Sequence, residues 1–254
     1  VIRSSADLNL PLICLTLINK KGYVHQDISH SGEQIEYPET WDPSAYMTCL
    51  PTTTSVSIQE REVQVQAWCY EHHSPLGGVI PIFFLDTDTE ANQPIDREIT
   101  HYLYGGDNQY RLKQEIVLGI GGVRLIEKLG FNVQRYHMNE GHSGLLGVEL
   151  LRRYGMDEAV VREQCIFTTH TPMAAGYDKF PYGMIQEIMG EIIPFEDLKR
   201  LGGMDLLNMT LLALNLSRYH NGVAQKHREV SKQIFPGYEI NAITNGVHSK
   251  TWTC

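Results

Sequence analysis

The sequence has 254 residues, yet none of its apolar runs approaches the roughly 18 to 20 residues that a membrane span requires. No membrane partner is expected. A basic stripe is also missing. Lys and Arg total 21 against 30 Asp and Glu, for a formal charge of −9, and the densest basic groups are the pairs Lys20-Lys21 and Arg152-Arg153. That balance argues against nucleic acid as a ligand. The opening VIRSSADLNL lacks the basic-then-apolar pattern of a signal peptide. It also lacks an initiator Met, so the true amino terminus is expected to lie upstream. Cysteine is sparse: Cys14, Cys49, Cys69, Cys165 and Cys254 are odd in number and never form CxxC. They read as small hydrophobes of a reducing, cytoplasmic protein. There is no internal repeat, no GxSxG elbow and no P-loop. His137 and His142 do not make HExxH and have no third ligand spaced to join them, so no metal site is expected.

What is present is an α/β pattern in two styles. Up to about residue 110 the chain reads as strand-rich. Pro11 to Leu17 is a continuous apolar run, expected to be a strand buried on both faces. Val63 to Tyr70 alternates, with Val63, Val65, Ala67 and Cys69 on one face. His72-His73 reads as a solvated turn, and Val79 to Leu85 as a strand in which Pro81 predicts an edge or irregular position. Residues 86–100 read as a polar loop. From about residue 111 helices and strands alternate. Helices are expected at 111–129, 143–154, 183–193, 205–216 and 224–233, and strands at 133–138, 164–168, 219–223 and 240–244. This rhythm predicts a mostly parallel, Rossmann-like, doubly wound sheet with crossover helices. Gly119-Ile120-Gly121-Gly122 resembles a dinucleotide fingerprint, but Arg124 replaces its last glycine and the segment lies mid-helix. Close helix packing is the better reading.

Each late strand runs into polar residues: Asn139-Glu140-Gly141-His142, Thr169-His170-Thr171, His220-Asn221-Gly222 and Asn245-Gly246. Ligands of parallel sheets bind beyond the carboxyl ends of strands. A set of His, Asn, Glu and Thr suits a hydroxyl-rich ligand. Glu140 and Asp107 could also be a glycosidase carboxylate pair, but their separation is not legible in sequence.

The segments HYLYGGDNQYRLKQEIVLGIGG, HMNEGHSG, FTTHTPMAAGYDKFP, LNMTLLALNLSRYHNGVAQKHREVSK and ITNGVHSKTW, in this order, resemble the α-glucan (glycogen, starch, maltodextrin) phosphorylases, closest to their shorter bacterial and archaeal forms. The likeness covers most of the chain from residue 79, and residues 1–78 more loosely. It implies one sugar-binding lobe of a two-lobe, GT-B-type glycosyltransferase that phosphorolyses terminal α-1,4-glucosidic bonds of glucan or maltooligosaccharide to α-glucose 1-phosphate. By position it implies that His170 lies against the transferred glucosyl unit, its backbone carbonyl facing the anomeric carbon. Asn245 would hold a glucose hydroxyl, Glu140 and His142 would shape the pocket floor, and Asp107, Asn108 and Arg111 would match a gating loop. Inorganic phosphate would be the co-substrate and pyridoxal phosphate the cofactor, its anchoring lysine in a second lobe beyond Cys254. The family's glycine-rich phosphate loop, upstream of a segment like DLNLPL, is absent. The whole enzyme would be a homo-oligomer, and the fragment alone inactive. Two other readings stay open: a nucleotide-sugar glucan synthase of the same plan, and a non-catalytic glucan-binding lobe.

Overall fold

The computed structural model describes residues 1–103 and 106–252; Tyr104, Gly105, Thr253 and Cys254 lie outside the described residues. The chain divides into two compact units, residues 1–56 with 62–114, and residues 57–61 with 115–254.

The first unit carries β1 (Cys14–Leu17), β2 (Val24–Ile28), β3 (Gln34–Pro38), β4 (Thr48–Cys49), most of β5 (Thr54–Ile58), β6 (Arg61–His73) and β7 (Val79–Asp86). Its main sheet has the order β1-β7-β6-β4, with β5 on β6. β1 runs parallel to β7, while β6 is antiparallel to β7 and β4. The alternation along β6 works as expected: Val63, Val65 and Ala67 are wholly buried while Gln64 and Gln66 are half-buried.

Three expectations need correction in this unit. β1 is an edge strand and only half-buried, because it pairs with β7 alone. β7 is not an edge: it lies between β1 and β6. Pro81 is tolerated there because the β1 ladder begins at Ile82, which leaves that side of the strand open at the proline. His72 and His73 are the last residues of β6, opposite Ile80 and Val79; the turn follows them at Gly77, whose φ is +96°.

Residues 86–100, expected as a polar loop, include a short helix at Pro94–Arg97 and pair several of their polar groups inside the fold. Asp86 is fully buried, with Lys20 Nζ at 2.7 Å, Trp68 Nε1 at 2.9 Å and Gln66 Nε2 at 3.0 Å. Asn92 accepts from Gln64 N and donates to the carbonyls of Gln64 and Thr87. Buried polar groups persist because they are paired in this way.

The second unit carries β8 (Tyr136–Asn139), β9 (Cys165–Thr169), β10 (Lys179–Pro181), β11 (Leu206–Asn208), β12 (Tyr219–Gly222) and β13 (Asn241–Ala242). Its four-stranded sheet, in the order β13-β12-β9-β8, is parallel throughout. The strand order follows the chain order. A sheet that is parallel throughout, with helices between its strands, fits the Rossmann-like lobe expected from the sequence. Met138, Cys165 and Phe167 are buried on one face, while His137 and Asn139, pointing the other way, are exposed.

Helix boundaries follow local chemistry. Asp157 caps Glu158–Gln164 by accepting from Ala159 N and Val160 N, and Asn208 caps Met209–Asn215 in the same manner. Gly130 and Gly155, with φ of +79° and +60°, stop the helices before them. The long helix from Asn108 to Lys128 contains a π turn at Val117–Gly121. A Cβ on Gly119 would sit 2.6 Å from Leu146 N. The glycine thus lets this helix touch the start of Leu145–Arg153, which is close packing and not nucleotide binding. The expected helix at 205–216 is a short strand followed by Met209–Asn215, and a helix at Phe195–Gly202 was not foreseen.

Candidate functional site

The parallel sheet brings the ends of β8 and β9 together, and Glu140 is the centre of what forms there. It follows β8 directly and is 6% exposed. Its Oε1 accepts from Thr169 Oγ1 at 2.9 Å, from Thr171 N at 2.9 Å and from His170 N. Its Oε2 accepts from Gly141 N at 3.2 Å. Charge-assisted hydrogen bonds to backbone amides are what allow a carboxylate to stay buried. The backbone of Glu140 is itself unusual, with φ 69° and ψ 167°. That region is nearly reserved for glycine, so the residue is held there against strain of about 1–3 kcal/mol.

His170 stands over this carboxylate with its side chain 47% exposed. Its Nε2 lies 2.9 Å from Asn139 Oδ1, and its Nδ1 lies 3.8 Å from Glu140 Oε1. Below it, a second polar chain crosses three strands. Thr168 Oγ1 donates to Asn221 Oδ1 at 2.9 Å and meets His137 Nε2 at 2.7 Å. Tyr177 donates to the Thr171 carbonyl at 2.8 Å. Burial, and then the Glu140 charge, push its phenol above the ordinary range.

Of the residues singled out from sequence, Glu140 and His170 meet directly. His142 is half-buried in the turn Gly141–Ser143 that follows Glu140. Asn245 follows β13 with an exposed side chain and its amide on the Val223 carbonyl at 3.0 Å; among the described residues no hydrogen bond joins it to Glu140 or His170. Asp107, Asn108 and Arg111 belong to the first unit. There Asp107 caps the helix beginning at Asn108, its Oδ1 accepting from Tyr110 N at 3.0 Å. Arg111 donates its amide to the Asp107 carbonyl at 3.0 Å.

His220 has a different part from the one its strand-end position implied. Its ring nitrogens face the carbonyls of Leu214, Ser217 and Glu239, so it ties a helix end to the chain before β13. Asn139, a member of the first strand-end cluster with no individual role assigned from sequence, contacts His170 directly.

No family model matches the chain. The maltodextrin phosphorylase of Thermococcus litoralis is 38% identical over 280 residues, covering 99% of this chain and 33% of that protein. The glycogen phosphorylase of Mycobacterium tuberculosis is 34% identical over 296 residues, covering 99% of this chain and 34% of that protein. The glycogen phosphorylase of Aquifex aeolicus is 31% identical over 289 residues, covering all of this chain and 40% of that protein. The chain is a homologue of the α-glucan phosphorylases. It spans about a third of the length of the first two of these relatives.

Pyridoxal phosphate, which the phosphorylase resemblance implies, does not fit the cluster at β8 and β9. Its aldehyde calls for an amine and its phosphate for cations. The hydrogen-bonded members here are Glu140, His170, Asn139, the threonines and backbone amides, with no Lys or Arg side chain among them. The set is one for hydroxyls. Among the described residues, no group of three or more His, Cys, Asp or Glu could hold a metal ion. No helix there is long and apolar enough to cross a membrane.

The arginines find a different task. Arg124 and Arg152 both clamp the buried Glu149, with four N···O distances between 2.6 and 3.1 Å. Burial opposes the Glu149 charge, but the guanidinium bonds outweigh it and hold its carboxyl below the usual range. This clamp joins the helix Gly122–Lys128 to Leu145–Arg153.

Proposed function

We propose that this chain is the glucosyl-binding lobe of a GT-B-type enzyme that phosphorolyses terminal α-1,4-glucosidic bonds, using inorganic phosphate and releasing α-glucose 1-phosphate. The observation that carries the reading is the way Glu140 fixes the backbone at His170. In a trans peptide the N–H and C=O point in opposite directions, and the described chain has no cis bond. The Thr171 amide points at Glu140. The carbonyl of His170, on the same peptide unit, therefore points away from the carboxylate. A carbonyl locked in place can face the positive charge that grows on a sugar ring as its bond to the leaving oxygen breaks, and stabilise it without bonding to it. The half-exposed imidazole supplies a hydroxyl partner beside it.

The cluster has no side chain placed as a protein acid for the leaving oxygen. In this reading the phosphate co-substrate supplies that proton, and residues other than these hold the phosphate and pyridoxal phosphate. The reading is tested on the intact protein that contains this chain. Maltooligosaccharide and inorganic phosphate should yield α-glucose 1-phosphate. Glucan elongation from a nucleotide-glucose, with no phosphorolysis, would replace it with a synthase.

A further inference from the structure

We propose that Asn139 is a positioning residue for His170, its side-chain oxygen holding the imidazole as the Nε2–H tautomer so that Nδ1 is left as a bare acceptor on the half-exposed ring. The kinetic part of this inference rests on the function proposed above; the tautomer does not.

The geometry leads there in steps. Asn139 is the last residue of β8 and is paired in register with Thr168 of β9, so its side chain leaves the same face as Thr168, two residues before His170. An amide oxygen only accepts, so the nitrogen 2.9 Å from Asn139 Oδ1 must carry the hydrogen. The hydroxyl of Thr168 is already committed to His137 and Asn221. Nor does Glu140 fix the other nitrogen: it is 3.8 Å from Nδ1, and its Oε1 already takes three donors. With the ring set this way, Nδ1 offers a lone pair, which a ligand hydroxyl can satisfy and a ligand carbonyl or ether cannot. Two parallel strand ends thus cooperate. β9 supplies the imidazole, and β8 supplies both the carboxylate that locks its backbone and the amide that chooses its tautomer.

The test reads ring nitrogens by ¹⁵N NMR of the 254-residue chain at about pH 8, where an ordinary imidazole is neutral. His170 should show a protonated, pyrrole-type Nε2 and a pyridine-type Nδ1. Asn139→Asp, which keeps an acceptor, should leave that pattern intact. Asn139→Leu, close in shape but without one, should give a mixture of tautomers. A protonated Nδ1 in the natural chain, or no change in Asn139→Leu, overturns the proposal. In the intact enzyme, Asn139→Leu should lower kcat/KM for phosphorolysis about tenfold, the scale of one positioned hydrogen bond, and Asn139→Asp should restore part of it. Loss of activity equal in both variants would also overturn the positioning role. Absence of phosphorolysis in the natural protein would defeat the proposed function while leaving the tautomer result to stand by itself.

Discussion

Replacing Glu140 with Ala and, separately, with Gly should destabilise the chain by different amounts, because the two variants treat the residue's bonds and its strain differently. Both remove the carboxylate. Of its four donors, the amides of His170 and Thr171 are on exposed or half-buried residues and can turn to water, whereas Thr169 Oγ1 and Gly141 N are on buried ones. Two stranded buried donors, at roughly 1–3 kcal/mol each, partly offset by removal of a buried charge, give about 2–4 kcal/mol for Glu140→Ala. At φ 69° and ψ 167° alanine stays strained. Glycine does not, so Glu140→Gly should recover about 1–3 kcal/mol of that loss. Glu140→Gln should fall between: its oxygen still serves three donors, but its amide group then faces the Gly141 N–H. In a chain of this size about 2–4 °C accompanies each kcal/mol, so Glu140→Ala should lower Tm by roughly 5–15 °C. Urea and thermal unfolding followed by circular dichroism measure both differences. If Ala and Gly variants agree within about 0.5 kcal/mol, or if neither is destabilised, the account of Glu140 as a strained, bonded hub fails.

Other outcomes follow from the same contacts. Gly119→Leu should destabilise the second unit by more than about 3 kcal/mol, since its Cβ alone would meet Leu146 N at 2.6 Å; a soluble variant with an unchanged urea midpoint would contradict the close packing. The Glu149 clamp predicts a pH dependence. Its folded carboxyl titrates below its unfolded value, so the unfolded chain binds the extra proton. Its contribution is present above about pH 4.5 and is lost as pH falls through the depressed folded value. Glu149→Gln should flatten that part of the acid-unfolding profile, and an identical profile would refute the assignment. The 254-residue chain by itself should release no glucose 1-phosphate and show no pyridoxal absorbance, because the Glu140 cluster offers neither amine nor cation. Either signal would overturn the division of labour proposed here.

The polar strand ends are legible in the sequence because they depend on periodicity. Four short strands each end at or carry polar residues, and a parallel sheet places such ends on one side. That pattern marks Glu140, His170 and Asn221 as candidates. It could not distinguish roles that depend on tertiary partners. His220 and Asn221 are neighbours in one motif, yet one faces three carbonyls and the other joins the Thr168 chain. Pro81 looked like an edge residue because proline lacks a donor; whether a neighbour needs that donor depends on where β1 begins to pair. The stretch 86–100 reads as a polar loop, and only the pairing of Asp86 with Lys20 and Trp68 explains why its first residue is buried.

The most direct test of the central claim is the separation of turnover from glucan binding at His170. In the intact enzyme, His170→Ala should lower the turnover of phosphorolysis far more than it weakens maltooligosaccharide affinity measured by calorimetry. Turnover equal to that of the natural protein would remove His170, and with it the strand-end cluster, from the reaction.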